Sequence, residues 1–172
     1  MPENNYAFID GQNLHLGVKI HLGWRSLDNQ KFRQYLRSEF GVVKAFYFIG
    51  HDPSRQDLYT HLSNAGFDLV HKRALRMSDG KTKGNVDAEL ILESMKRFNE
   101  YDKAVIVSSD GDFQCLVKHL KDNNKLKKLI AIEKNCSTLL RLELDGTPFI
   151  EFLDGSRSRL EYTHVARGNT TT

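Results

Sequence analysis

The chain has 172 residues, of which 40% are hydrophobic and 27% charged, and its formal net charge is +3. That suits one soluble globular domain with a sizeable core. It permits a polyanionic partner without demanding one, and no run approaches the roughly 18 apolar residues of a membrane-spanning helix.

In chain order, "MPENNYAFID" is too short and too polar for a secretory leader. Tyr6–Asp10 reads as a first strand and residues 12–22 as the helix after it. Asp28 is a good N-cap for a helix over 28–39, which Gly41 closes. Val42–Gly50, rich in β-branched and aromatic residues, is the second strand. A helix over 53–65 has Pro at its start and Gly66 after its end. Strands follow over 67–72, 104–108, 128–133 and 149–153, with helices over 86–99, 112–123 and 137–142 between them. This alternation predicts an α/β fold, a three-layer α/β/α sandwich with a mostly parallel sheet covered on both faces. Residues 1–153 read as one domain, and the polar tail 154–172 as a loosely attached or disordered end. Cys115 and Cys136 sit in apolar surroundings without CxxC or zinc spacing, which reads as buried free thiols and a reducing, cytoplasmic location.

Parallel sheets bind ligands at the carboxyl ends of their strands, and acids gather at that edge here. Asp10 ends the first strand. Asp87 opens a helix on the stripe Asp87, Ile91, Met95 and Phe98, which should face the sheet, whereas Glu89 and Glu93 face away. "VIVSSDGDF" puts Ser108, Ser109, Asp110 and Asp112 at the end of a buried strand. Asp112 is readily explained as a helix cap, and Asp110, already in the loop, less so. Four carboxylates on one rim repel one another unless a cation sits among them. Hard oxygen ligands select Mg²⁺ or Mn²⁺ over zinc. Two such ions about 4 Å apart can activate water against a phosphodiester.

"FIDGQNL", "KGNVDAEL" and "VSSDGDFQCLVKHL" together resemble the motifs of NYN domains, in particular the LabA-like branch of the PIN-like nuclease group. The resemblance runs from about Tyr6 to Glu133 and implies a metal-dependent ribonuclease that hydrolyses RNA phosphodiester bonds with metal-activated water. It places the metal-binding acids on Asp10, Asp87, Asp110 and Asp112, and helper roles on Asn13 and Ser108. A less regular acidic position falls on Glu93. Ser109 and Cys115 depart from the glycine and proline frequent in relatives, and neither departure removes a ligand.

RNA as the partner follows from the resemblance alone. Lys72, Arg73, Arg76, Lys81 and Lys83 lie in a Gly-containing segment expected as a loop above the acids, where they would position phosphates. A second basic segment, "KHLKDNNKLKK", is expected further away. The alternative is a non-catalytic RNA-binding, regulatory or scaffold protein that keeps the acidic site. A phosphatase of the haloacid-dehalogenase type ranks low, because Gln12 stands where that chemistry needs a second Asp. A TOPRIM-like site wants Glu where this chain has Asp10. A sheet edge or the Trp24 region offers a surface for a homo-oligomer.

Overall fold

The computed structural model describes residues 3–73, 75–76, 82–83 and 86–163. Six strands form the main sheet: β1 (Asn5–Asp10), β2 (Val42–His51), β3 (Asp68–Arg73), β6 (Ala104–Val107), β7 (Leu126–Ala131) and β8 (Ile150–Phe152). β4 (Leu75–Arg76) and β5 (Thr82–Lys83) form a separate antiparallel ladder. The main sheet is parallel throughout, in the order β3-β2-β1-β6-β7-β8. The chain therefore winds outward in two directions from β1, and the seam between β1 and β6 is where a parallel sheet opens a crevice at its carboxyl edge.

Strand period sorts the apolar side chains into two cores. Ala7, Ile9, Ala45, Tyr47, Ile49, Val105 and Val107 face one side. There they meet α1 (Gly11–Leu16), α2 (Asn29–Phe40), α3 (Gln56–Asn64) and α7 (Arg157–Leu160). Tyr6, Phe8, Phe46, Phe48, Ala104 and Ile106 face the other side, against α4 (Asp87–Lys96), α5 (Gln114–Asp122) and α6 (Thr138–Leu144). This is the expected three-layer sandwich. Asp28 caps α2 by accepting the Lys31 N–H, and Gly41 ends it in the left-handed region at φ 64°. α1 continues into a π-helical turn, Gly17–His21, so the predicted first helix keeps its path but not its hydrogen-bond pattern.

Several expectations are corrected. β7 runs two residues earlier than expected, over Leu126–Ala131. Cys115 is exposed and Cys136 only half-buried, though both are free. The buried line of α4 is Val86, Leu90 and Ser94, and the stripe of Asp87, Ile91 and Met95 lies on its flank. Trp24 is only 3% exposed and belongs to the core, so it offers no surface to a partner.

The tail is the largest difference. Residues 154–163 are docked, and those from 164 on lie outside the described residues. The Asp28 N–H donates to the Leu160 carbonyl at 2.8 Å, the Tyr162 N–H to the Ser26 carbonyl at 3.0 Å, and Leu27 bridges Glu161. Leu160 is 1% exposed in the α1–α3 core. Leu160→Ala is expected to lower stability by about 2 kcal/mol, the low end for a buried leucine because a short terminal helix can settle into the gap. Denaturant titration against wild type measures it, and an unchanged midpoint would show the docking to be incidental.

Candidate metal centre

Two adjacent strands and one crossing helix build the rim. Ile9 of β1 is the register partner of Val107 of β6, so Asp10 and Ser108 leave the sheet side by side. α4 packs across β1 and brings Asp87, its first residue, to the same edge. Gly11 permits the turn between Asp10 and α1: a Cβ there would sit 2.2 Å from Tyr47 Cε1 and 2.8 Å from the Phe48 carbonyl oxygen.

Asp87, Asp110 and Asp112 each present a carboxylate oxygen, and these three atoms lie within 4.8 Å of one another. Asp87 and Asp110 are half-buried and Asp112 is exposed, so the trio opens to solvent. Asp10 is not one of this trio. It is 4% exposed, accepts the Asn13 N–H at 3.1 Å as the N-cap of α1, and accepts the Ser108 hydroxyl at 3.3 Å. Burial pushes its carboxyl up to about 6, and the charges of Asp87 and Asp110 add to this. The bonds from Asn13 and Ser108 work against it. The structure thus arranges the four predicted acids as three in front and one behind.

The capping roles are the reverse of those expected. Asp110, not Asp112, is the N-cap of a 3₁₀ turn, Gly111–Phe113, and accepts the Asp112 N–H at 3.0 Å. Asp112 sits in the first turn, exposed.

Asn13 and Ser108 are tied into the scaffold. The Asn13 side-chain oxygen accepts the Ser109 N–H at 2.9 Å, and the Ser108 hydroxyl accepts the Asp110 N–H at 3.1 Å. Ser109 closes the clamp: its hydroxyl accepts the buried Ile132 N–H at 2.9 Å and its carbonyl accepts the Ser137 N–H at 3.0 Å. The acid-bearing loop is therefore held from α1 on one side and from the end of β7 on the other. The sequence shows Ser109 as a departure from glycine and, with Ser108, as a hydroxyl able to bond a carboxylate, water or phosphate, but not as a tie to β7. Ser109→Ala strands the Ile132 N–H and is expected to cost about 1–2 kcal/mol in thermal or chemical unfolding. A neutral effect would mean that the clamp does not hold the loop.

The basic residues divide. Lys72 forms an ion pair with Glu89 at 3.0 Å. Arg73, Arg76 and Lys83 have their backbones in β3, β4 and β5, while Lys81 lies outside the described residues, as does most of the expected loop. Glu93 pairs with Arg97 at 2.7 Å, away from the trio. The second basic segment enters β7 at the amino-terminal edge of the sheet, opposite the acids, where Lys121 pairs with Glu143 and Lys127 with Glu3. One basic group was missed. His15 titrates below its usual range, first through burial and then through the Lys19 and Arg55 charges, so these three side chains neighbour one another beyond Asp10. The four-residue spacing of His15 and Lys19 was the available signal.

An all-carboxylate donor set of this spacing fits a hard divalent cation such as Mg²⁺ or Mn²⁺. The like charges give such an ion something to offset. Among the described residues no helix is long and apolar enough to cross a membrane.

The sequence profile of the NYN domain matches residues 6–151. The chain is 26% identical over 130 residues to the low amplitude and bright protein LabA of Synechococcus elongatus, covering 70% of this chain and 69% of that protein. Its fold also matches the crystal structure of a Vibrio parahaemolyticus protein of unknown function. There the TM-score is 0.75 at 23% identity, over 92% of this chain and 96% of that one. Since the profile match runs from β1 to β8 and takes in every acid of the rim, the chain belongs to the NYN domain family.

Proposed function

We propose that the rim is the centre of a divalent-cation-dependent ribonuclease that acts in the cytoplasm. The observation that carries this reading is the trio of carboxylate oxygens within 4.8 Å, backed by a buried Asp10, at the seam of the sheet. Family membership in a group of nuclease type supports it. Asp87, Asp110 and Asp112 would hold one or two Mg²⁺ or Mn²⁺ ions. When bound, the cation supplies Lewis-acid activation of water and neutralises charge on the phosphate. Asp10 stands behind as the fourth acid and adds negative charge at neutral pH. Asn13, Ser108 and Ser109 act as positioning residues: they fix the loop so that Asp110 and Asp112 converge. Lys72, Arg73, Arg76, Lys81 and Lys83 would guide the phosphates, an attraction that weakens with salt.

The test is incubation of single-stranded and structured RNA with Mg²⁺, with Mn²⁺ and with chelator, using Asp110→Asn as control. Metal-dependent cleavage that the substitution removes supports the reading. RNA bound without turnover in either metal would overturn the enzyme and leave a binding or scaffold protein.

A further inference from the structure

The same edge of the sheet carries a second feature, on the other side of β1 from the β6 acids. β2 ends in His51, and His71 of the edge strand β3 is the register partner of Ile49. Two-residue alternation therefore puts His51 and His71 on one face of the sheet, diagonally adjacent. Their rings lie 5.5 Å apart at 87°. Both rest against Tyr59 of α3, with centroid distances of 6.1 Å from His51 and 4.6 Å from His71. Tyr59 is buried and fixed, its hydroxyl donating to the Gly50 carbonyl at 3.1 Å and accepting the Asp52 N–H at 2.7 Å. The two imidazoles are exposed. They border an open groove of about 660 Å³ that Gln56, Asn64 and Asp68 also line.

Tyr59 does the packing here, so the core does not account for two exposed rings set at right angles. Their arrangement suits a flat heteroaromatic ligand. One ring offers a stacking face, the other an edge, and Gln56 at the start of α3 offers an amide at the same end, while Asn64 and Asp68 line the far end of the groove. Burial and the neighbouring His51 lower the His71 pKa, which keeps that ring neutral near pH 7 and favours a base over a phosphate. The groove opens on the α3 side of the sheet and Asp87 stands on α4 on the other side, so the path between them runs over the carboxyl edge. Asp10 is the register partner of Phe48, and His51 stands three residues further along β2. Strand geometry makes that about 11 Å from Asp10, backbone to backbone. His15, Lys19 and Arg55 add positive charge near α1 on the same side of the rim.

We propose that the His51–His71 groove is a nucleobase-binding subsite for a single-stranded RNA whose backbone continues to the acidic rim. The choice of RNA rests on the ribonuclease reading, and the test separates the two. Fluorescence anisotropy is measured on the full chain in chelator, where no cleavage occurs. One probe is a short single-stranded oligoribonucleotide, and the other is an abasic ribose-phosphate chain of the same length. The double variant His51→Ala, His71→Ala is expected to bind the base-bearing strand about tenfold more weakly and the abasic strand as wild type does. His71→Phe keeps a stacking face and is expected to recover most of the loss seen with His71→Ala, which guards against a mere folding defect. An unchanged Kd, an equal loss on both strands, or a wild type that does not prefer the base-bearing strand would overturn the subsite. Base-dependent loss in a protein that never cleaves RNA overturns the ribonuclease reading alone. Metal-dependent cleavage without base-dependent loss overturns the subsite alone.

Discussion

Asp110→Asn is expected to lower divalent-dependent RNA cleavage by at least about a hundredfold while leaving the metal-free fold intact. Removing a group that only hydrogen-bonds a metal ligand already costs about 10–100-fold, and loss of a ligand costs more. The substitution is clean for a structural reason. Asp110 accepts the Asp112 N–H at 3.0 Å as a cap, and Asn caps as well as Asp does. What disappears is one negative charge from a cluster of three carboxylates. Metal-free melting should therefore stay level or rise, while the stabilisation gained on adding Mg²⁺ or Mn²⁺ shrinks. Paired melting curves with and without the ion separate the roles. Lowered metal-free stability with an undiminished ion response would make Asp110 a cap and nothing more.

The second large effect is carried by Asp10. Its carboxyl titrates at about 6 in the fold, against an ordinary value of 3.8. The folded state thus holds this proton more tightly than the unfolded chain does. The resulting stability is complete below about pH 4, is lost as pH rises towards 6, and stays lost above it. The difference corresponds to about 3 kcal/mol. Asp10→Asn keeps an oxygen for the Asn13 N–H and removes the buried charge. In chelator it is expected to match wild type near pH 4 and to exceed it by up to about 3 kcal/mol at pH 7. Urea titrations across that range provide the check. A gap that does not change with pH, or a less stable variant at pH 7, would mean that the buried charge is compensated without a cation.

The sandwich was legible because both sides of the sheet are covered. β1 is buried along its whole length, so Tyr6–Ile9 reads as a continuous apolar run, and the helices between strands carry apolar stripes. The rim was legible because carboxylates gathered at the ends of such runs repel one another unless a cation joins them. Finer placement failed where local geometry intervened. A 3₁₀ turn separates β6 from α5, and it moved the capping role from Asp112 to Asp110. The same turn rotated α5 so that Leu116, Val117 and Leu120 face inward and Cys115 outward. Asp87 lies beside the buried line of α4, not on it, and so it reaches the crevice half-exposed. The tail docks through backbone hydrogen bonds and one leucine among charged residues, Leu160, which no periodicity announces. The His51–Tyr59–His71 group joins three elements and has no linear signature.

The two-way winding of the sheet has a consequence for how the acids come together. Asp87, Asp110 and Asp112 all belong to the later half of the chain, yet β1 of the early half is the strand that α4 crosses and that β6 pairs with. Without that strand the three carboxylates share no common floor. A chain cut between β3 and α4 would yield one piece with the floor and another with the three carboxylates, and neither is expected to hold an ion alone. Ion binding by the mixed pieces would then report complementation, which makes the rim an internal gauge of whether the two halves have met.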